Sequence, residues 1–238
     1  QQDEVFSPRI GIVYQPIKPI SLYASYSRSF QQVIGTGLDN RLFEPERGTQ
    51  YEVGIKADLT DRLSSTLAFY QLTRSNVLTN DESGLFSVQT GEQRSRGIEL
   101  DITGEILPGW NIIASYAYTD ATINKDNDFP IGNRLNNVPE NALSLWTRYE
   151  LQNGNLQGLG FGLGLFYVGE RQGDLENSFT VPSYVRTDAA IYYRRDNIKV
   201  ALNLKNLFDI NYVEAVESSS RVFYGQPFTI QGTISWQF

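Results

Sequence analysis

The chain contains no cysteine, no histidine and no methionine. Without cysteine it can form neither disulfides nor thiolate metal sites. Without histidine it lacks the commonest general base and the commonest metal ligand, which excludes a serine–histidine hydrolase. Basic residues are in the minority. The formal net charge of −7 leaves no general basic face for nucleic acid. No apolar run reaches the ~18 residues that a membrane-spanning helix needs. The opening Gln1-Gln2-Asp3-Glu4 is polar and acidic, unlike a signal peptide, so Gln1 is expected to mark a cut in a longer polypeptide.

Aromatic residues and glycine are plentiful: 14 Tyr, 13 Phe and 20 Gly in 238 residues. Helical periodicity is scarce and period-two alternation runs along most of the chain. Trp110, Ile112, Ala114, Tyr116 and Tyr118 fall on one face, with Asn111, Ser115 and Thr119 on the other. Leu159, Phe161, Leu163, Leu165 and Tyr167 alternate with Gly160, Gly162 and Gly164, and Ile198, Val200, Leu202 and Leu204 with Lys199, Asn203 and Lys205. The last segment sets Phe228, Ile230, Ile234, Trp236 and Phe238 against Thr229, Gln231, Thr233, Ser235 and Gln237. With similar segments beginning near residues 8, 20, 47, 63, 94, 140 and 183, the pattern predicts about eleven strands, each long enough to cross a bilayer when tilted.

The connections alternate in length. Short turns are predicted at Pro16–Pro19, Thr60–Arg62, Leu107–Gly109, Gln152–Gln157 and Arg195–Asn197, and longer polar stretches at 30–46, 79–93, 120–137, 171–182 and 209–225. Outer-membrane barrels are built this way, with short turns in the periplasm and long loops outside. Trp110, Tyr118, Tyr149, Tyr167, Tyr193 and Trp236 sit at strand ends on the apolar face, where interfacial girdles belong. The opposite face carries Glu52, Lys56, Asp58, Glu99, Asp101, Glu105, Arg148, Glu150, Arg186, Asp188, Lys199 and Lys205. Mid-strand charge of this density suits a wide, wet or plugged lumen, because an unpaired charge in a packed core is costly. The expectation is an all-β fold, an antiparallel transmembrane β-barrel segment.

Six segments, in order, resemble the TonB-dependent siderophore receptors, especially the ferrichrome or hydroxamate-type group. They are Glu44-Pro45-Glu46-Arg47-Gly48-Thr49-Gln50-Tyr51-Glu52-Val53-Gly54-Ile55-Lys56; Ser95-Arg96-Gly97-Ile98-Glu99-Leu100-Asp101 leading to Ser115–Ala121; Asn137-Val138-Pro139-Glu140-Asn141 before Leu145–Tyr149; Pro182-Ser183-Tyr184 with Asp188 and Tyr192; Asn203-Leu204-Lys205-Asn206-Leu207-Phe208-Asp209 with Tyr212; and the terminal Trp236-Gln237-Phe238. Most of these residues also have structural readings. Gly97 and Gly104 suit bends or close backbone approach, and Asn206 and Asp209 suit a strand end where backbone groups need partners.

The resemblance implies about eleven strands of an up-and-down barrel of roughly 22. Residues 1–238 would then be its C-terminal part, without the plug domain, the TonB box or the N-terminal barrel strands. It implies a receptor and transporter for ferric siderophore in the outer membrane of a Gram-negative-type bacterium. The partners implied are the TonB complex acting through the plug, outer-membrane lipid, and the barrel assembly machinery, which would read Trp236 and Phe238. No catalysis, cofactor or protein-held metal is expected, since iron arrives as the siderophore complex. A binder of such a ligand needs aromatic faces and a few polar groups. The candidates are Phe30, Phe43, Phe86, Phe129, Phe179, Tyr212, Phe223 and Tyr224, with Arg41, Arg134, Arg171 and Arg221 for an anionic ligand. Loop aromatics also pack loops against one another. The last loop lacks the cysteine pair of the ferrichrome-type receptor, so a ligand set does not carry over.

Other readings stay open: a TonB-dependent receptor for cobalamin, haem or an oligosaccharide, or a passive porin-like barrel. Glu99 and Asp101, two apart on one strand, face the same side, and are expected to pair with Lys or Arg across strands rather than to perform acid–base work.

Overall fold

The computed structural model describes residues 4–37, 41–80 and 87–237. The long strands are β1 (Arg9–Ile17), β2 (Ile20–Gln31), β3 (Glu46–Thr60), β4 (Leu63–Asn80), β5 (Ser87–Leu107), β6 (Trp110–Lys125), β7 (Asn141–Glu150) and β8 (Leu159–Val168). They are followed by β9 (Arg171–Gln172), β10 (Thr180–Val181), β11 (Tyr184–Arg195), β12 (Ile198–Lys205), β13 (Val213–Ser218), β14 (Arg221–Tyr224) and β15 (Thr229–Trp236). Eleven of them form one antiparallel sheet in the order β1-β2-β3-β4-β5-β6-β7-β8-β11-β12-β15. The small hairpins β9–β10 and β13–β14 stand apart, in segments expected to be plain loops.

Register settles which side each residue takes, because cross-strand partners share a face. Leu163 pairs with Thr147 and Ala189, and Leu202 pairs with Ile191 and Gly232. Following such pairs across the sheet collects the apolar residues on one side, from Ile12 and Val53 through Phe69, Leu100 and the predicted Tyr116 to the predicted Ile230. The twelve predicted lumenal charges lie on the other side without exception. The apolar side is open: Val53, Ile55, Phe69, Phe161, Leu163, Ile191 and Ile234 are all exposed. A face this apolar and this open is a membrane-contacting surface. Trp110 donates from Nε1 to Thr147 Oγ1 at 2.7 Å, and Tyr116 OH donates to Asn141 Oδ1 at 2.8 Å. Ring bodies in the apolar zone with polar tips satisfied are what an interfacial belt requires.

All five short turns lie along one edge of the sheet. At the Pro108–Gly109 turn, Gly109 adopts φ +81° and a Cβ there would lie 2.5 Å from Glu150 O. At the turn before β12, Asp196 takes φ +48°, a region Asp tolerates better than most residues. The opposite edge carries the long connections. There β4 and β5 reach 18 and 21 residues, well beyond the ~9–11 of a tilted crossing. The ladder of β5 with β6 (Trp110–Lys125) likewise continues past the apolar band into a zone of ion pairs, including Arg96–Asp120 at 2.9 Å and Lys125–Glu92 at 3.2 Å. The sequence placed the start of β5 near residue 94, because the polar composition of residues 87–93 reads as loop even where backbone pairing persists.

One expectation fails. Glu99 and Asp101 meet no cation among the described residues. Their cross-strand partners are Ala68, Ala117, Thr66 and Ser115, so no basic side chain stands opposite to neutralise them. Glu52, on the same face, is held instead by Tyr23 OH at 2.7 Å and Gln50 Nε2 at 2.9 Å.

Candidate functional site

The long-loop edge is organised around Asn206 and Arg171. Asn206 ends the ladder of β12 in the left-handed region at φ +51° and is almost wholly buried. Its Nδ2 donates to Ile210 O (2.9 Å) and Gln226 O (3.0 Å), while its Oδ1 accepts from Ile210 N at 3.0 Å. Its own N–H donates to Asp188 Oδ1 at 2.9 Å. Asp209 then accepts from Phe228 N at 2.7 Å. Asn206 and Asp209 therefore clasp the two ends of the 206–228 connection, the role expected of residues whose side chains imitate backbone partners.

Arg171 joins that connection to two others. Its Nε donates to Asn137 Oδ1 at 3.0 Å, and its Nη2 to Val213 O (2.8 Å) and Glu214 O (3.3 Å). Asn137 Oδ1 also accepts from Val216 N at 3.3 Å, and Asn137 N donates to Gln172 O at 2.9 Å. Asn177 and Arg134 exchange bonds of 2.8 Å, and Asn133 Nδ2 donates to Leu175 O at 2.9 Å. Three connections thus form one hydrogen-bonded unit, and Ile123 and Val216 are wholly buried.

Arg171 is 3% exposed, has no carboxylate partner among the described residues, and leaves Nη1 without a hydrogen bond. Burial pushes its guanidinium below the ordinary arginine range. It lies 6.0 Å from the Tyr184 ring, whose centroid is 4.4 Å from that of Tyr212 with the two rings tilted by 35°. Arg186 Nη1 donates to Tyr212 OH at 3.5 Å and Arg186 grips Asp188 through two bonds of 3.1 Å.

The other candidate residues are distributed as follows. Tyr212 is buried, with its ring over Gly225. Phe43 packs over Gly35, and Phe179 over Gly173, each within its own connection. Phe129 is half-buried beside a turn in which Asp126 Oδ1 accepts from Phe129 N. Phe30 follows Tyr26 on the outward face of β2. Phe223 and Tyr224 are exposed on β14. Arg134 is held by Glu140 at 3.0 and 3.2 Å, which raises its affinity for the proton, and Arg221 pairs with Glu217 at 2.7 Å. Arg41 is exposed, and its carbonyl accepts from Gly37 N at 2.9 Å. Phe86 and Phe238 lie outside the described residues; Trp236 is on the outward face of β15, opposite Ile198. Asn137, Tyr184 and Arg186 were not among the candidate ligand residues. They stand in or beside the Asn-Val-Pro and Pro-Ser-Tyr segments, whose order along the chain was the available signal.

No group of three or more His, Cys, Asp or Glu among the described residues could hold a metal ion.

A sheet with one side for lipid, one charged side and interlocked connections at one edge is the construction of an outer-membrane barrel wall. The chain belongs to the TonB-dependent receptor β-barrel family: residues 1–207 match the family described as TonB dependent receptor-like, beta-barrel. It is 40% identical over 231 residues to the metal-pseudopaline receptor CntO of Pseudomonas aeruginosa, covering 95% of this chain and 33% of that protein. It is 37% identical over 245 residues to the ferrichrome outer membrane transporter/phage receptor of Escherichia coli, covering 100% of this chain and 33% of the relative. The siderophore receptor PiuA of Acinetobacter baumannii superposes with a TM-score of 0.85 at 28% identity, over 96% of this chain and 35% of that one. The chain therefore spans about a third of the length of these relatives. By their names these relatives are receptors and transporters, and the family's proteins belong to the outer membrane.

Proposed function

We propose that this chain is the C-terminal barrel part of a TonB-dependent receptor that captures a ferric siderophore and admits it across the outer membrane of a Gram-negative-type bacterium. The observation that carries the reading is the joining of an unbroken lipid-to-lumen partition to a preorganised outer unit built on Arg171, Asn137 and Asn206. Preorganised loops bind a ligand without the cost of ordering them at the moment of capture. The plug and the TonB contact belong to the remainder of such a receptor, and the barrel assembly machinery and surrounding lipid are its further partners. Iron is the cargo's metal, so the protein supplies orientation and no iron ligand of its own. The absence of histidine from these connections favours a siderophore over haem as cargo.

The test is growth of an iron-starved, receptor-deficient strain carrying the full-length gene on defined ferric siderophores. Growth on at least one, abolished when TonB is deleted, is expected. Failure on every siderophore rejects the iron reading. A stable ohmic conductance from the purified receptor without TonB supports a passive pore instead.

A further inference from the structure

The outward face does not end uniformly at the long-loop edge. Beyond the apolar row that holds Val53 and Phe69 comes the Tyr26–Tyr51 pair, with ring centroids 5.2 Å apart. The next row runs Arg28, Thr49, Thr73 and Arg94 across β2 to β5, and Arg47 lies one row further, opposite Phe30. Register is unbroken over these rows, so their side chains leave the sheet on the membrane side. The other part of the same face ends at this edge in Tyr167, Val185 and Leu204, with no cation beside them among the described residues.

The cations of this zone divide into matched and unmatched. Arg96 is held by Asp120, Lys125 by Glu92 and Arg134 by Glu140. Arg28, Arg47 and Arg94 meet no carboxylate among the described residues. Glu92, two residues from Arg94 on β5, is already taken by Lys125 at 3.2 Å and Asn124 at 3.1 Å. Arg94 keeps a buried Nε without a hydrogen bond, while Arg28 and Arg47 are exposed. Arg28 and Arg47 are diagonal neighbours on adjacent strands, about 7–8 Å apart at the backbone. Arg94 stands three strands from Arg28, about 14 Å away. Unmatched cations one or two rows above an interfacial tyrosine pair lie at headgroup depth, where lipid phosphates are.

We propose that Arg28, Arg47 and Arg94 form a site for a phosphorylated glycolipid of the outer leaflet, with one phosphate between Arg28 and Arg47 and a second at Arg94. Guanidinium forks bind phosphate oxygens bidentately. The separation suits two phosphates carried at the ends of a disaccharide, a span that a lipid with a single phosphate does not reach. Thr49 and Thr73, between the arginines, offer hydroxyls to the sugar. Phe30, exposed opposite Arg47, offers the sugar a ring face, which gives this outward aromatic a lipid to meet rather than cargo. The site is on the membrane side of the wall and is independent of the cargo the receptor carries.

The test uses the full-length receptor with the photo-reactive p-benzoylphenylalanine in place of Thr73, or of Val185 as the comparison in the cation-free part of the face. Lipid-stripped receptor is offered lipopolysaccharide bearing both lipid A phosphates, its dephosphorylated form, or phosphatidylglycerol. It is then washed in detergent and irradiated, so that only retained lipid is cross-linked. Strong cross-linking is expected from the bisphosphorylated glycolipid alone, and at the Thr73 position rather than the Val185 one. Arg28→Gln, Arg47→Gln and Arg94→Gln together should reduce it roughly ten-fold or more through the lost phosphate contacts. The same three changes to Lys, which keep the charge but not the fork, should hold it within about three-fold of wild type. Equal cross-linking by the dephosphorylated form or by phosphatidylglycerol, equal cross-linking at the two positions, or no loss in the Gln variant overturns the site. The lipid comparison is read on the native arginines, so a variant that fails to fold does not shield the proposal. A failed site leaves the transport reading untouched.

Discussion

Arg171 and Asn137 are joined by a 3.0 Å bond from Nε to Oδ1, although they belong to separate connections on the long-loop edge. That one amide oxygen also accepts from Val216 N, so a single carbonyl ties three segments. An amide side chain does this where a carboxylate would add a formal charge, and the φ of 59° at Asn137 is one that asparagine tolerates.

Arg171→Ala is expected to free the three connections from one another while leaving the wall intact. The lost bonds are worth about 1–3 kcal/mol, all of it local to the edge. Limited proteolysis of the purified receptor should cut within 206–228 faster than in wild type, while the temperature at which the barrel loses its compact gel mobility moves little. A parallel fall in barrel stability would mean that Arg171 supports the sheet itself.

Asn206 combines two roles that substitutions separate. Asn206→Gly keeps the left-handed backbone accessible but leaves Ile210 N, Ile210 O and Gln226 O without their side-chain partner, whereas Asn206→Ala also strains the backbone. Each stranded buried group costs about 1–3 kcal/mol. Hydrogen exchange at Ile210 should therefore accelerate in both variants, and more in Asn206→Ala. Wild-type protection in Asn206→Gly would show that the clasp is carried by backbone shape alone.

Gly97 and Gly232 make a matched pair on the sheet. A Cβ at Gly97 would stand 2.1 Å from Tyr118 O, so β5 and β6 would have to separate, while Gly232 has nothing within 4 Å. Gly97→Ala is expected to reduce the fraction of receptor reaching the folded, heat-modifiable form. Gly232→Ala is expected to match wild type. The gel-shift assay on outer-membrane fractions reads both.

Much of the wall was legible in the sequence because a strand has period two and its faces meet different solvents. Phe161, Leu163 and Leu165 against Gly160, Gly162 and Gly164 could be sorted with no knowledge of their neighbours. What lay across from them could not. Register decides that Trp146 lies over Gly162 and Gly164, and that Glu99 faces Ala68 and Ala117 rather than a lysine. Local alternation carries no record of either. The Asn206 clasp was foreseeable in kind, since asparagine at a strand end seeks backbone partners, but its second partner, Gln226, is 20 residues away. The short hairpins β9–β10 and β13–β14 were read as loop because two to six residues give alternation too little length to register.

The division of side chains between lipid and lumen is tested most directly by placing the same charge on either face at similar depth. Leu163→Arg puts a guanidinium into lipid and is expected to cost about 2–4 kcal/mol. Asn203→Arg puts it into the lumen, where Lys199 and Lys205 already lie on the same face, and is expected to cost little. Reversible unfolding of the full-length receptor in bilayer vesicles should show that gap. Equal destabilisation, or a larger loss for Asn203→Arg, would contradict a wall whose apolar side faces the membrane.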